Sequence, residues 1–214
     1  MNFKELVRKY KHGWTLIYVV FYMPWFIYLE QTVTENYTLI HLPIDDKIPF
    51  CEYFIIPYYI WFAFVPAIMI YLLIYSKKEF YEASAFLFTG MTIFLIICTV
   101  WPNGLNLRQD ISYRDNFCAD IVRSLYETDT STNVFPSMHV FNTLGCLIAL
   151  LKSKGMKGRY IIKGLSIVLS ILIVLATMFL KQHSIIDVIG GFGLAAIMYI
   201  IVYVPNWEKK LKKS

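Results

Sequence analysis

The chain has 214 residues, of which 57% are hydrophobic and only 16% charged, with a formal charge of +5. Soluble domains carry nearer a quarter charged residues, so this balance excludes an ordinary water-soluble fold. The basic residues cluster between apolar runs, which argues for membrane topology and against nucleic acid as a partner.

Six apolar runs follow in chain order. They predict membrane helices over Trp14–Leu29, Phe54–Tyr75, Ala83–Trp101, His139–Leu151, Ile161–Leu180 and Ile185–Val204. A bilayer core asks for about 20 helical residues, so the first and fourth runs are short. Pro24 falls inside span one, and Pro57 and Pro66 inside span two. The first run lacks a small-x-small cleavage site before the acidic segment that follows, so it is expected to remain as a span. No repeat or Gly/Pro-rich linker divides the chain, and residues 1–214 are expected to form a single membrane domain.

Charge sets the sidedness. Lys4, Arg8, Lys9 and Lys11 precede span one, and Lys77 and Lys78 lie between spans two and three. Lys152, Lys154, Lys157, Arg159 and Lys163 surround the join of spans four and five. Lys209, Lys210, Lys212 and Lys213 end the chain. Placing these segments in the cytoplasm requires an even number of spans. The other connections hold Glu30, Glu35, Asp45, Asp46, Glu52, Asp110, Asp115, Asp120, Glu127 and Asp129. The expected architecture is all-α, a bundle of six transmembrane helices with both termini cytoplasmic. Cys51 and Cys118 both fall on the outer side, where either a disulfide or two free thiols would be compatible. Cys98 and Cys146 lie in apolar runs, and the four cysteines have no metal-ligand spacing.

Three polar segments share the outer face: residues 101–110, 133–143 and 179–191. In the last, His183 and Asp187 are four apart and share one face of a helix. A carboxylate there can hold the proton on one imidazole nitrogen, leaving the other as a nucleophile or base. The plainer alternative is an interfacial histidine with a capping aspartate. In the second segment, Pro136 suits an early helical turn, and free N–H groups there, with the Ser137 hydroxyl, suit a phosphate. His139 could donate a proton to a leaving oxygen. Asn133 and Asp129 read as turn or cap residues. Arg108 in the first segment offers a guanidinium fork that matches phosphate oxygens, and Lys181 offers a second cation.

These residues resemble the type 2 phosphatidic acid phosphatase superfamily over roughly residues 45–200. PSMH at 136–139 matches the family's Pro-Ser-x-His motif, and His183 with Asp187 matches the end of its third motif. Arg108 lines up with the arginine of the first. The chain departs from the pattern elsewhere. Gln109 stands where the family has proline, Trp101 where it has lysine, and Ala176 and Thr177 where it has Ser-Arg. The FPSMH and KQHxxxD wording is similar to the inositol phosphorylceramide synthase-like branch.

The resemblance implies an enzyme in which His183 attacks phosphorus, Asp187 orients it, and His139 protonates the leaving group. Arg108, Ser137 and Lys181 would hold the phosphate. It implies no cofactor and no metal, because histidine supplies the nucleophile. The expected activity is a membrane lipid phosphatase acting on a lipid phosphate or pyrophosphate in the outer leaflet. The alternative is a head-group phosphotransferase with a lipid hydroxyl as acceptor. A non-catalytic transporter or degenerate relative is the third reading. The expected location is a bacterial plasma membrane, with the site facing outside. The outer loop from Thr32 to Glu52 is a candidate lid.

Overall fold

The computed structural model describes Glu5 and residues 8–205. Lys4 and the C-terminal Lys209, Lys210, Lys212 and Lys213 lie outside these residues. The described chain is mostly helical. After a 3-10 segment (Lys11–Ile17) come α1 (Tyr18–Thr32), α2 (Ile55–Tyr75), α3 (Lys77–Val100), α4 (Phe117–Thr128), α5 (Met138–Lys152), α6 (Tyr160–Phe179) and α7 (Ile185–Tyr203). Two-residue strands β1 (Thr38–Leu39) and β2 (Asn103–Gly104) pair in parallel.

Among the described residues, four helices are long and apolar enough to cross a membrane: α2 with the short turn before it, α3, α6 and α7. The expected spans one and four yield helices of 15 residues each. Both have local reasons. The first run opens within a 3-10 helix, Lys11–Ile17, which takes its first residues out of the α-helix. The fourth begins at Met138, one residue before the expected run, where Ser137 caps α5 through a hydrogen bond accepted from the Val140 N–H. Pro57 falls in the first turn of α2, where its missing N–H leaves no bond unmade. Pro24 and Pro66 are interior to their helices.

The apolar surface has two destinations. α5 is the central element, touching α2, α3, α6 and α7. Phe86, Phe94, Phe141, Cys146, Leu150, Ile173 and Met198 pack into one core around it. The outward faces keep large apolar residues exposed, among them Phe21, Ile70, Leu165 and Ile200. An apolar face of this extent has no place in water and suits a bilayer.

Helix α4 was not anticipated by the spans. It buries Ala119, Val122 and Leu125 on one face, with Cys118, Ile121 and Tyr126 packed beside them, and carries Asp120, Arg123 and Glu127 elsewhere. Asn116 caps it by accepting from the Ala119 N–H. Cys51 and Cys118 are both free thiols, so no disulfide joins this helix to the segment before α2.

Candidate active site

The loops at one end of the bundle are tied to each other by buried polar contacts. Asn103, fully buried, accepts through its side-chain oxygen from the N–H groups of Val134 and Phe135 and donates its amide to the Trp101 carbonyl. This fixes the chain leading into the Pro136–His139 motif, which contains a cis Phe135–Pro136 bond. The Ser137 N–H then donates to the Asp187 carbonyl at 3.0 Å. Glycine makes that junction close. A Cβ on Gly191 would lie 2.9 Å from the Ser137 carbonyl oxygen, and one on Gly190 would lie 2.5 Å from the Phe135 ring.

The segment before α7 is held as firmly. The Gln182 and His183 N–H groups both donate to the Thr177 carbonyl. Ser184 and Asp187 form a reciprocal cap, with the Asp187 carboxylate accepting from the Ser184 N–H at 2.9 Å. Such a box satisfies two free donors of a helix start at once. Asp45, also buried, accepts from the Ser184 hydroxyl and the Ile185 N–H. The loop considered as a lid is therefore bound in place at Asp45, and again where β1 pairs with β2.

These constraints bring the three expected catalytic residues together. His183 Nδ1 lies 3.4 Å from the Asp187 carboxylate, an ion-pair distance without hydrogen-bond alignment. The His139 and His183 rings are 5.7 Å apart, centre to centre. Tyr58 and Trp61 of α2 pack on the His139 ring at 4.6 and 4.4 Å. His139 Nε2 is buried with no protein partner.

The expected phosphate ligands are placed differently. Lys181 is buried, and its ammonium donates to the carbonyls of Asp45 and Ile48 at 2.7 and 2.6 Å. Burial pulls its pKa below the ordinary lysine value, partly offset by Asp45 and Asp46. Arg108 donates to the carbonyls of Tyr126, Asp129 and Thr130 and to the Gln182 side chain. Four of its five N–H donors are thus used, most of them on the carbonyls that end α4. Ser137 is fully buried at the start of α5. The sequence placed these three beside a phosphate. In the structure two of them serve backbone carbonyls and the third caps a helix.

A cavity of about 790 Å³ opens beside the histidines. Its long wall is apolar, built from Val19, Met23 and Phe26 of α1, Val65 and Met69 of α2, and Met91 of α3, among others. Its polar end holds His139, His183, Asn142, Gln182, Asn133, Glu30 and Asp129. Sequence reasoning placed Glu30 only by its sidedness and read Asp129 as a turn residue. Glu30 accepts from the Thr130 hydroxyl at 2.5 Å and the Asn133 amide at 2.8 Å. A carboxylate in the last turn of a helix opposes the helix dipole, and that was the available signal for Glu30.

Residues 112–210 match the family model of the PAP2 superfamily. The match contains PSMH, His183 and Asp187 but begins after Arg108. It supports the superfamily and, with it, an enzyme of the phosphatase and phosphotransferase kind. No curated protein and no solved structure matches the chain.

Proposed function

We propose that the protein is a membrane enzyme that transfers a phosphoryl group from a lipid phosphate or pyrophosphate through His183. The observation that carries this reading is the imidazole pair, 5.7 Å apart, at the polar end of an apolar cavity. From Val19 to Glu30 the cavity wall on α1 spans roughly 16 Å at 1.5 Å per residue, the scale of a lipid chain.

His183 attacks phosphorus through its Nε2 lone pair as the bond from phosphorus to the lipid oxygen breaks. Asp187 retains the proton on Nδ1 and offsets the positive charge that grows on the ring. His139 gives the leaving oxygen its proton, then takes one from the incoming acceptor. The acceptor oxygen bonds to phosphorus, the phosphorus–nitrogen bond breaks, and both histidines return to their starting states. Water as acceptor makes the enzyme a lipid phosphatase. A lipid hydroxyl makes it a phosphotransferase of the inositol phosphorylceramide synthase kind. The second reading is favoured by the commitment of Lys181 and Arg108 to protein carbonyls, since a diester carries less charge to neutralise than a monoester.

In this reading α1 and α5 complete six spans, with the site at the outer face of a bacterial plasma membrane. The bases at Arg8–Lys11, Lys77–Lys78 and 152–163 support that orientation.

The test is turnover by purified protein in detergent with EDTA present, on phosphatidic acid, phosphatidylglycerol phosphate, undecaprenyl pyrophosphate and phosphatidylinositol. Each lipid is run with and without diacylglycerol or ceramide as acceptor. His183-dependent phosphate release without acceptor makes the protein a phosphatase, and a new phospholipid formed only with acceptor makes it a transferase. Full activity in folded His183→Ala protein would overturn the mechanism.

A further inference from the structure

The polar end of the cavity carries the wrong charge for a phosphate monoester. Among the described residues, no lysine or arginine lines it, whereas Glu30 and Asp129 do. Both carboxylates sit at the negative ends of helices. Glu30 is in the last turn of α1, and Asp129 directly follows α4 as its C-cap. Helix C-termini favour cations, so two carboxylates here raise the demand for positive charge.

The protein meets that demand only in part. The hydrogen bonds to Glu30 come from neutral donors, Thr130 and Asn133. The Asp129 carboxylate lies 4.0 Å from the Arg108 guanidinium, whose N–H groups are directed to the carbonyls of residues 126, 129 and 130. Burial, and then the charge of Glu30, push Asp129 up to about 6.

Two independent observations point to a ligand. The first is a set of polar atoms without protein partners: Asn133 Oδ1, Asn142 Oδ1 and Gln182 Nε2. They belong to side chains that are 4–6% exposed and line the cavity. Buried polar groups are almost always bonded, and a head group entering the cavity would supply the partners. The second is the aromatic wall of α2. Tyr58, Trp61 and Phe62 line the cavity and lie against the His139 ring, and ring faces attract ammonium groups.

We infer that the polar end of the cavity binds the ammonium group of a zwitterionic phosphodiester lipid, with Glu30 and Asp129 as its counter-charges and the α2 aromatics as its walls. This rests on His183 facing the phosphorus of the same ligand. It narrows the substrate from lipid phosphates in general to diesters whose head group is an amino alcohol or its methylated form. The ligand is then neutral overall, with its single phosphate charge toward the histidines and its ammonium toward the carboxylates. A phosphate monoester would bring nearly two negative charges to a site that already holds two carboxylates.

The test is calorimetric binding to His183→Ala protein, so that turnover does not enter the result. The probes are dodecylphosphocholine, dodecylphosphoethanolamine and dodecyl phosphate, each below its micelle concentration. The two zwitterionic probes should bind about tenfold or more tighter than dodecyl phosphate, the scale of a cation-π contact reinforced by ion pairing. Glu30→Gln and Asp129→Asn should each cut that preference severalfold while the affinity for dodecyl phosphate rises. Equal or tighter binding of dodecyl phosphate by the parent would overturn the inference. So would a preference unchanged in Asp129→Asn, the variant to rely on if Glu30→Gln loses its Thr130 and Asn133 contacts and unfolds. If the wild type proves catalytically inert yet the preference holds, the phosphoryl-transfer reading falls and the ammonium site stands.

Discussion

The carboxylate of Asp45 accepts a 2.7 Å hydrogen bond from the hydroxyl of Ser184, 139 residues away in the chain. The same carboxylate accepts from the Leu42 and Ile185 N–H groups, and the Asp45 carbonyl accepts from Lys181. Asp45 therefore sets the start of α7, and with it His183. Asp45→Ala should lower stability by about 3 kcal/mol or more, because it strands buried donors that had faced a charged acceptor. Thermal unfolding in detergent measures this, and turnover should fall with it. Stability within 0.5 kcal/mol of wild type, about the size of an ordinary surface change, would refute the anchor role.

Asp187 separates chemistry from architecture. Asn in its place retains an oxygen to accept from the Ser184 N–H, so α7 should keep its cap. The charge that orients and stabilises His183 is lost. Asp187→Asn should leave the melting temperature near wild type while reducing turnover, by less than His183→Ala does. His139→Ala should cost about 10²- to 10⁴-fold in turnover, the usual range for a lost general acid. Steady-state rates on the preferred lipid check all three.

Asn103 has no role in the chemistry, but it holds the entrance to the second motif. Asn103→Ala leaves the Val134 and Phe135 N–H groups without their acceptor in a buried loop. Each stranded donor costs about 1–3 kcal/mol. The expected result is a lower melting temperature together with a fall in turnover, because Ser137 and His139 follow directly.

Arg108→Lys tests whether the guanidinium works as a helix cap or as a phosphate clamp. Lysine cannot reproduce the fork that meets three carbonyls and Gln182, so stability should drop by about 1–3 kcal/mol. The KM for the lipid should change little at temperatures where the variant is folded. A large rise in KM with unchanged stability would restore the clamp role implied by the family resemblance.

The pH dependence at the polar end of the cavity follows from Asp129, whose pKa of about 6 lies above its ordinary 3.8 because of burial and Glu30, with Arg108 and His183 opposing. A native carboxyl with a raised pKa favours folding most below about pH 4, and that contribution is lost as pH rises through about 6. Asp129→Asn should flatten this component of the melting curve between about pH 4 and 7. Affinity for an ammonium head group should move the opposite way, rising in wild type as Asp129 ionises and staying level in the variant.

Much was legible in the sequence because it is local. Runs of apolar residues gave the four longest helices, since burying the backbone polar groups of a span is a property of the span itself. A four-residue spacing marked His183 and Asp187 as neighbours, which they are, although His183 precedes the Ser184 cap and lies outside α7 instead of on its face, and Pro136–His139 marked the start of α5. Helix α4 escaped because it is short and amphipathic, with Asp120, Arg123 and Glu127 on its polar side, so it does not register as a membrane span. The two 15-residue helices stay below the length of a full span because one run opens as 3-10 helix and the other helix starts at the Ser137 cap.

What only the tertiary structure decided is where the charges end. Sequence spacing gave Arg108 and Lys181 the look of phosphate ligands, but a guanidinium or ammonium binds whatever acceptor is nearest, and folding supplied backbone carbonyls from residues 126–130 and from Asp45 and Ile48. Glu30 and Asp129 are 99 positions apart in number and carry no shared motif, yet the contact of Glu30 with Thr130 brings them to one cavity lining. Helical periodicity is written in neighbouring residues and survives without the rest of the molecule. The charge of a cavity is a sum over distant segments, and it exists only once they meet.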